Sequence, residues 1–76
     1  MFRYIPVSEE LFSPLLGQYH SFGIAAQKEV AGHWQTCCQV SDISTDPIFV
    51  ENLAARCTAG QLEPVHLLDV IEDALI

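Results

Sequence analysis

The hydrophobic pattern of this chain changes once, after Ile43, and this change limits the fold classes that it can adopt. Before Ile43 the apolar side chains alternate loosely with polar ones, whereas after it they recur every three or four residues. The first pattern is typical of strands and the second of amphipathic helices. Strands followed by helices favour an α+β architecture, in which the helices cover one face of an antiparallel sheet.

Three strands are predicted before the change of period. They cover residues 2–7, 18–27 and 33–40. Residues 8–17 contain two glutamates, a proline and a glycine, and are predicted to form a connection with a helical turn near Leu11. Residues 28–32 are predicted to be a hairpin connection, and Gly23 a bulge or a point of close backbone approach.

Strict alternation along the third strand predicts which of its side chains share a face. One face carries Trp34, Thr36, Cys38 and Val40, and the other carries Gln35, Cys37 and Gln39.

Two helices are predicted after the change of period. The first begins at Asp46 and Pro47, because Asp caps free N–H groups and Pro suits the first helical position, and it ends at Ala59 before Gly60. The second runs from near Pro64 towards Leu75. The side chains expected to pack against the sheet are Phe49, Leu53, Leu67, Leu68 and Ile71.

The sequence therefore predicts a single small α+β domain over residues 1–76. It has a three-stranded antiparallel sheet in the order β-β-β-α-α, with the two C-terminal helices packed on one face. Because a chain of 76 residues buries little surface, association into a homodimer is one expected route to further stability.

Acidic residues dominate the charge of the chain, with ten Asp and Glu against three Lys and Arg. From Asp42 onward there are seven acids and one base, Arg56. Nucleic acids and anionic membranes both bind through clusters of basic residues, so neither is an expected partner. A basic protein surface is an expected partner, although an acidic balance also serves solubility alone.

No apolar segment approaches the length that spans a bilayer, and the first residues do not resemble a signal peptide. A cytoplasmic location is therefore expected, with the three cysteines reduced.

Four parts of the sequence stand out as motifs: Phe22 to Ile24, residues 42–46 (DISTD), Val50 with Leu53, and above all residues 62–73 (LEPVHLLDVIED). In these parts the chain resembles short proteins of Firmicutes that form a family without an assigned function. Most members have Ser where this chain has Glu63, and Ser is the better helix cap. The resemblance implies a fold and a cytosolic setting, and it brings no catalytic residues with it.

The most distinctive polar group on the second helix consists of His66, Asp69, Glu72 and Asp73, which spacing places along one side. This group is the candidate interaction surface. It could hold a divalent cation or face a basic partner, but a solvated helix face is the more common explanation. Glu72 and Asp73 also oppose the helix dipole, so a compensating contact from Arg56 or from a base of a partner would be informative.

Cys37 and Cys38, with His33 nearby, raise the question of a metal or thiol site. Adjacent residues on a strand point to opposite faces, so their sulfur atoms cannot converge on one ion. No metal ligands, catalytic residues or cofactors are therefore predicted. In residues 42–46 the carboxylates and hydroxyls are better explained by helix capping than by calcium binding.

The sequence thus favours a non-enzymatic protein-interaction or regulatory module, with the acidic helical side or the open sheet face as its contact surface. The alternative is a small metal-dependent or thiol enzyme that uses His66, Asp69 and Asp73, or Cys37 and Cys38.

Overall fold

The computed structural model describes residues 1–75, which form a three-stranded sheet followed by two helices. The strands are β1 (Phe2–Ser13), β2 (Gly17–Val30) and β3 (His33–Ser44). The helices are α1 (Pro47–Ala59) and α2 (Leu67–Leu75), and a single 3₁₀ turn, Pro64–His66, precedes α2. The predicted order of elements and the α+β fold class are confirmed.

The sheet is an antiparallel meander in the order β1-β2-β3. Its second turn consists of Ala31 and Gly32, both with positive φ, which is the geometry that suits a two-residue hairpin between twisted strands. β1 pairs with β2 along its whole length, but β3 pairs only with the part of β2 from Phe22 to Val30. Residues 9–21 therefore extend beyond the third strand, and we call them the distal hairpin.

The prediction of a connection with a helical turn near Leu11 is wrong. Residues 8–13 continue β1 and pair in register with Gly17 to Phe22 of β2. In this stretch the odd-numbered side chains are half-buried and the even-numbered ones exposed, which is the two-residue period of a strand. The hydrogen bonds supplied by β2 outweigh the weak local preference of two adjacent glutamates for a non-strand conformation.

The predicted sharing of faces along β3 is also wrong, because a bulge interrupts the alternation. Ala26 of β2 lies opposite Cys38, but the next residue of β2, Gln27, lies opposite Thr36. One extra residue, Cys37, is inserted, so Thr36 and Cys38 point to opposite faces. Cys38 and Val40 pack against the core, whereas Trp34 lies on the open face beneath the guanidinium of Arg3, 4.4 Å from its ring centre.

A second irregularity confirms the prediction for Gly23. Phe22 lies opposite Ser44 and Ile24 opposite Val40, so β3 makes an excursion at residues 41–43. A Cβ atom on Gly23 would overlap the carbonyl oxygen of Val40, so only glycine allows the strands to approach this closely. The excursion turns Ile43 into the core, where it is buried.

α1 begins and ends where the sequence predicts. The backbone N–H of Ile48 donates to the carboxylate of Asp46 over 3.0 Å, and Pro47 occupies the first turn. At the other end the N–H of Gly60 donates to the carbonyl of Arg56 over 3.0 Å. The buried side chains of this helix are Val50, Leu53, Ala54 and Cys57, and Phe49 is half-buried.

α2 differs from its prediction at the start and in its buried face. It begins at Leu67 after the 3₁₀ turn, and Glu63 makes no side-chain capping bond. Leu67 and Ile71 are buried as predicted, but Leu68 is 54% exposed, so its predicted packing against the sheet is wrong. Val70 and Ala74 pack beside Leu67 and Ile71, and each lies one helical turn after one of them.

No helix within residues 1–75 is long and apolar enough to cross a membrane.

Candidate functional site

The four residues of the predicted acidic surface lie in the C-terminal segment of the structure. His66 is the last residue of the 3₁₀ turn, and Asp69, Glu72 and Asp73 follow on α2, all of them exposed. Within residues 1–75 no group of three or more His, Cys, Asp or Glu side chains is arranged to hold a metal ion. The exposed apolar residues of the same segment are Val65, Leu68 and Leu75, so this side is mixed rather than purely acidic.

Arg56, the base of the acid-rich part of the chain, lies on a groove that α2 also lines. Arg56 and Asp73 both line a groove of about 590 Å³ between the helices. The groove has an apolar floor that includes Leu53, Cys57 and Val70. Arg56 and the acidic end of α2 therefore border the same groove.

The cysteines lie in three different environments. Cys37, the inserted residue of the β3 bulge, is exposed, Cys38 is half-buried and Cys57 is buried. Burial raises the pKa of both Cys38 and Cys57, which favours the protonated thiol. A nucleophilic cysteine requires the opposite shift.

A polar cluster that sequence reasoning missed lies where the distal hairpin meets the β3 excursion. Its centre is Asp42, which has a positive φ of 54°. The carboxylate of Asp42 accepts hydrogen bonds from the hydroxyls of Tyr19 and Ser21, over 2.8 and 2.7 Å. The carboxylate of Glu9 accepts from the N–H of Asp42 over 3.1 Å and from the hydroxyl of Ser41 over 2.9 Å.

These bonds link all three strands and explain a buried polar residue. Ser21 is fully buried, and its hydroxyl also lies 3.1 Å from the carbonyl oxygen of Ser44. The hydrogen bond from Ser21, followed by that from Tyr19, lowers the pKa of Asp42. The bond to Asp42 in turn raises the pKa of Tyr19. The cluster holds the excursion in place. It was not predicted from the sequence because residues 8–17 were expected to form a connection, in which the direction of the Glu9 side chain is undefined.

We expect the substitution Ser21→Ala to raise the pKa of Asp42, because it removes the largest cause of the lowering. A carboxylate with a lowered pKa contributes stability above its unfolded pKa of about 4, and this contribution is lost as the pH falls through the folded pKa. NMR titration of the side-chain carboxyl carbon measures the shift, and Tyr19→Phe should produce a smaller rise. Identical titration of Asp42 in the parent and in Ser21→Ala would contradict the assigned cause.

The tip of the distal hairpin is unusually apolar. Phe12 is 75% exposed, and Leu15 and Leu16, in the turn between β1 and β2, are 94% and 73% exposed. Turns are normally built from Gly, Pro, Asn, Asp and Ser, and here Pro14 and Gly17, with its φ of 72°, already supply that chemistry. Nothing in the geometry of the turn requires the two leucines.

The comparisons with known proteins identify the family. A family model described as "Family of unknown function (DUF6514)" matches residues 2–76. The chain therefore belongs to this family, in agreement with the resemblance drawn from its motifs. No curated protein and no solved structure matches the chain.

Proposed function

We propose that the domain is a non-enzymatic protein-interaction or regulatory module whose main contact surface is the tip of the distal hairpin. The observation that carries this proposal is the exposure of Phe12, Leu15 and Leu16 within five consecutive positions. Large apolar side chains that are exposed together commonly indicate an interaction surface, whereas single ones scattered over the surface are ordinary.

The position of these residues supports a role in binding rather than in folding. The distal hairpin extends beyond β3, so Leu15 and Leu16 lie away from the core formed beneath α1. Their exposure to water gives the folded state no benefit, and burial of each leucine by a partner would contribute about 1.5–3 kcal/mol before the costs of association.

The acidic side of α2 is the second candidate contact surface. Asp69, Glu72 and Asp73 lie there beside the exposed Leu68, which suits a basic partner with an apolar centre. An enzyme that uses His66, Asp69 and Asp73, or Cys37 and Cys38, has less support. Its residues do not form a common site within residues 1–75, and the raised pKa of Cys38 disfavours the thiolate.

We expect the double substitution Leu15→Ser and Leu16→Ser to abolish capture of the cellular partner, because it removes the apolar contact while leaving the core intact. The measurement is quantitative affinity purification from the native cell, in which each copurifying protein is compared between the parent and the variant. Both residues are exposed, so the free energy of unfolding should change by less than about 0.5 kcal/mol.

The matched control is Asp69→Asn with Asp73→Asn, which changes two exposed residues on the other candidate surface. We expect this variant to retain the partner. Loss of the partner in the acidic variant, together with its retention in the hairpin variant, would assign binding to α2 and refute the proposed surface.

A further inference from the structure

The outer edge of β1 determines what the distal hairpin can bind. In an antiparallel pair, alternate residues direct both backbone groups towards the partner strand or away from it. The carbonyl of Met1 accepts from the N–H of Glu29 on β2 over 3.1 Å. The backbone N–H and C=O groups of the odd-numbered residues of β1 therefore point towards β2. Those of the even-numbered residues point outwards.

The first three outward positions are closed. The backbone N–H of Phe2 donates to the side-chain oxygen of Gln61 over 3.0 Å, and the side-chain amide of Gln61 donates to the carbonyl of Phe2 over 2.9 Å. The hydroxyl of Thr58 accepts from the N–H of Tyr4 over 2.9 Å and lies 3.3 Å from its carbonyl oxygen. The third position is Pro6, which has no N–H. A side chain at the end of α1, another just after it and a proline thus protect this half of the edge from pairing.

The next three outward positions are open. Within residues 1–75, no loop or side chain forms a hydrogen bond with the backbone of Ser8, Glu10 or Phe12. This open segment leads directly to the apolar tip at Leu15 and Leu16. Within β1, the distal half is thus the part whose outward backbone groups are available to another strand.

We propose that this open edge pairs with the same edge of a second copy of the chain, in an antiparallel arrangement whose two-fold axis passes through Leu11. The inference rests on the proposed function and names the partner of the distal hairpin. It creates a continuous six-stranded sheet in which the tip of each copy extends towards Pro6 and Val7 of the other.

A second copy suits this edge better than an unrelated peptide for two reasons. The segment is already an ordered strand with free groups on the required side, so pairing costs little conformational entropy. In addition, residues 1–41 carry two basic and three acidic residues, a net charge of −1, whereas the acid-rich remainder carries −6. Contact through the sheet edge therefore avoids the acid-rich remainder, and the charges that it does bring together are those of Glu9 and Glu10.

The position of the axis follows from the charges of the two glutamates. An axis at Glu9 or at Glu10 places that glutamate directly opposite its own copy, and like charges in this position are destabilising. With the axis at Leu11, the outward groups of Glu10 meet those of Phe12 of the second copy, and the two Leu11 side chains meet each other.

This register can be tested by disulfide cross-linking in a Cys37→Ser background, which removes the exposed native thiol. At the axis, two Leu11 residues form a non-hydrogen-bonded pair with Cα atoms about 4.5 Å apart, within reach of a disulfide. Leu11→Cys should therefore cross-link readily on mild oxidation. Glu10→Cys is the control, since its copies would be diagonal neighbours about 7–8 Å apart, and its yield should be much lower.

The role of the backbone can be tested by comparing Glu10→Pro with Glu10→Ala. Both remove the charge, but only the proline removes the outward N–H. Pro6 shows that β1 accepts proline at a position whose backbone groups point outwards. The loss of one hydrogen bond from each copy should lower the dimer association constant by about tenfold or more in Glu10→Pro, measured by sedimentation velocity. Glu10→Ala should dimerise at least as well as the parent.

Two outcomes would overturn the inference. The first is a parent chain that stays monomeric up to about 1 mM, a concentration at which even a dimer with a Kd near 0.1 mM is mostly associated. The second is a dimer that tolerates Glu10→Pro and cross-links no better through position 11 than through position 10. If one of these outcomes occurs but the variant with Leu15→Ser and Leu16→Ser loses another cellular partner, the proposed function stands without the second copy. If that variant loses no partner, the proposed function and the inference both fail.

Discussion

Replacing Leu53 by Ala is expected to lower the free energy of unfolding by about 2–5 kcal/mol, because it removes a buried side chain and leaves a cavity. Leu53 is 1% exposed and lies in the core cluster between α1 and the sheet. A small domain has a total stability of about 5–15 kcal/mol, and one of this size lies near the lower end of that range. The variant should therefore be partly unfolded at 37 °C, which chemical denaturation followed by Trp34 fluorescence will detect.

Leu68→Ala is the matched control for this prediction. Leu68 has the same side chain and also lies on a helix, but it is 54% exposed. We therefore expect a change in the free energy of unfolding of less than about 1 kcal/mol, since little transfer energy is lost and no cavity forms. If Leu68→Ala destabilised the domain as much as Leu53→Ala, α2 would have to pack with a different face towards the core.

The features that the sequence predicted correctly depend on local chemistry. The order of elements follows from the change of hydrophobic period, and the start of α1 follows from Asp46 and Pro47, whose effects reach only into the first turn. Gly23 was predicted as a point of close approach because glycine within a strand often marks one. None of these predictions needs knowledge of which segment lies next to which.

The features that it missed depend on partners far away in the chain. Residues 8–13 form a strand because residues 17–22 bond to them, and the insertion of Cys37 is defined only by its register against Ala26 and Gln27. Prediction of the polar cluster needs both the strand at residues 8–13 and the register of β3, because Glu9 bonds to Asp42, which is 33 positions away in the sequence. Single-sequence periodicity contains no information about such pairs.

The error at Leu68 has a related cause. The apolar residues of α2 are Leu67, Leu68, Val70, Ile71, Ala74 and Leu75, and together they cover a wider arc of the helix than the strip that faces the core. Packing against the core decides which of Leu68 and Val70 is covered. The buried face contains Leu67 and Ile71 with Val70 beside them, and Leu68 is left exposed. The predicted acidic residues would be exposed whether Leu68 or Val70 was buried, so their exposure alone cannot assign them a function.

We expect Gly23→Ala to destabilise the domain by about 1–3 kcal/mol, because the added methyl group forces the two strands apart. Its Cβ would overlap the carbonyl oxygen of Val40 and lie 3.1 Å from the Cα atom of Ser41, and both atoms belong to backbone that cannot move as a side chain can. The displaced excursion carries Asp42, so its hydrogen bonds to Ser21 and Glu9 should weaken together with the strand pairing. Chemical denaturation measures the loss of stability, and the pKa of Asp42 in the NMR titration should rise in parallel.

Gly60→Ala provides the control for this second prediction, since it adds the same methyl group where there is space. Gly60 has a φ of −83°, and the nearest atom to its added Cβ, the carbonyl oxygen of Arg56, lies at 3.4 Å. Alanine accepts this conformation, and it reduces the entropy of the unfolded chain, so Gly60→Ala should be neutral or stabilising by up to about 1 kcal/mol. The two substitutions therefore have opposite expected signs, and the difference isolates the close approach of the strands from any general effect of losing a glycine. If both variants were as stable as the parent and Asp42 titrated unchanged in Gly23→Ala, the excursion could not lie against Gly23, and the cluster that joins β3 to the distal hairpin would need another arrangement.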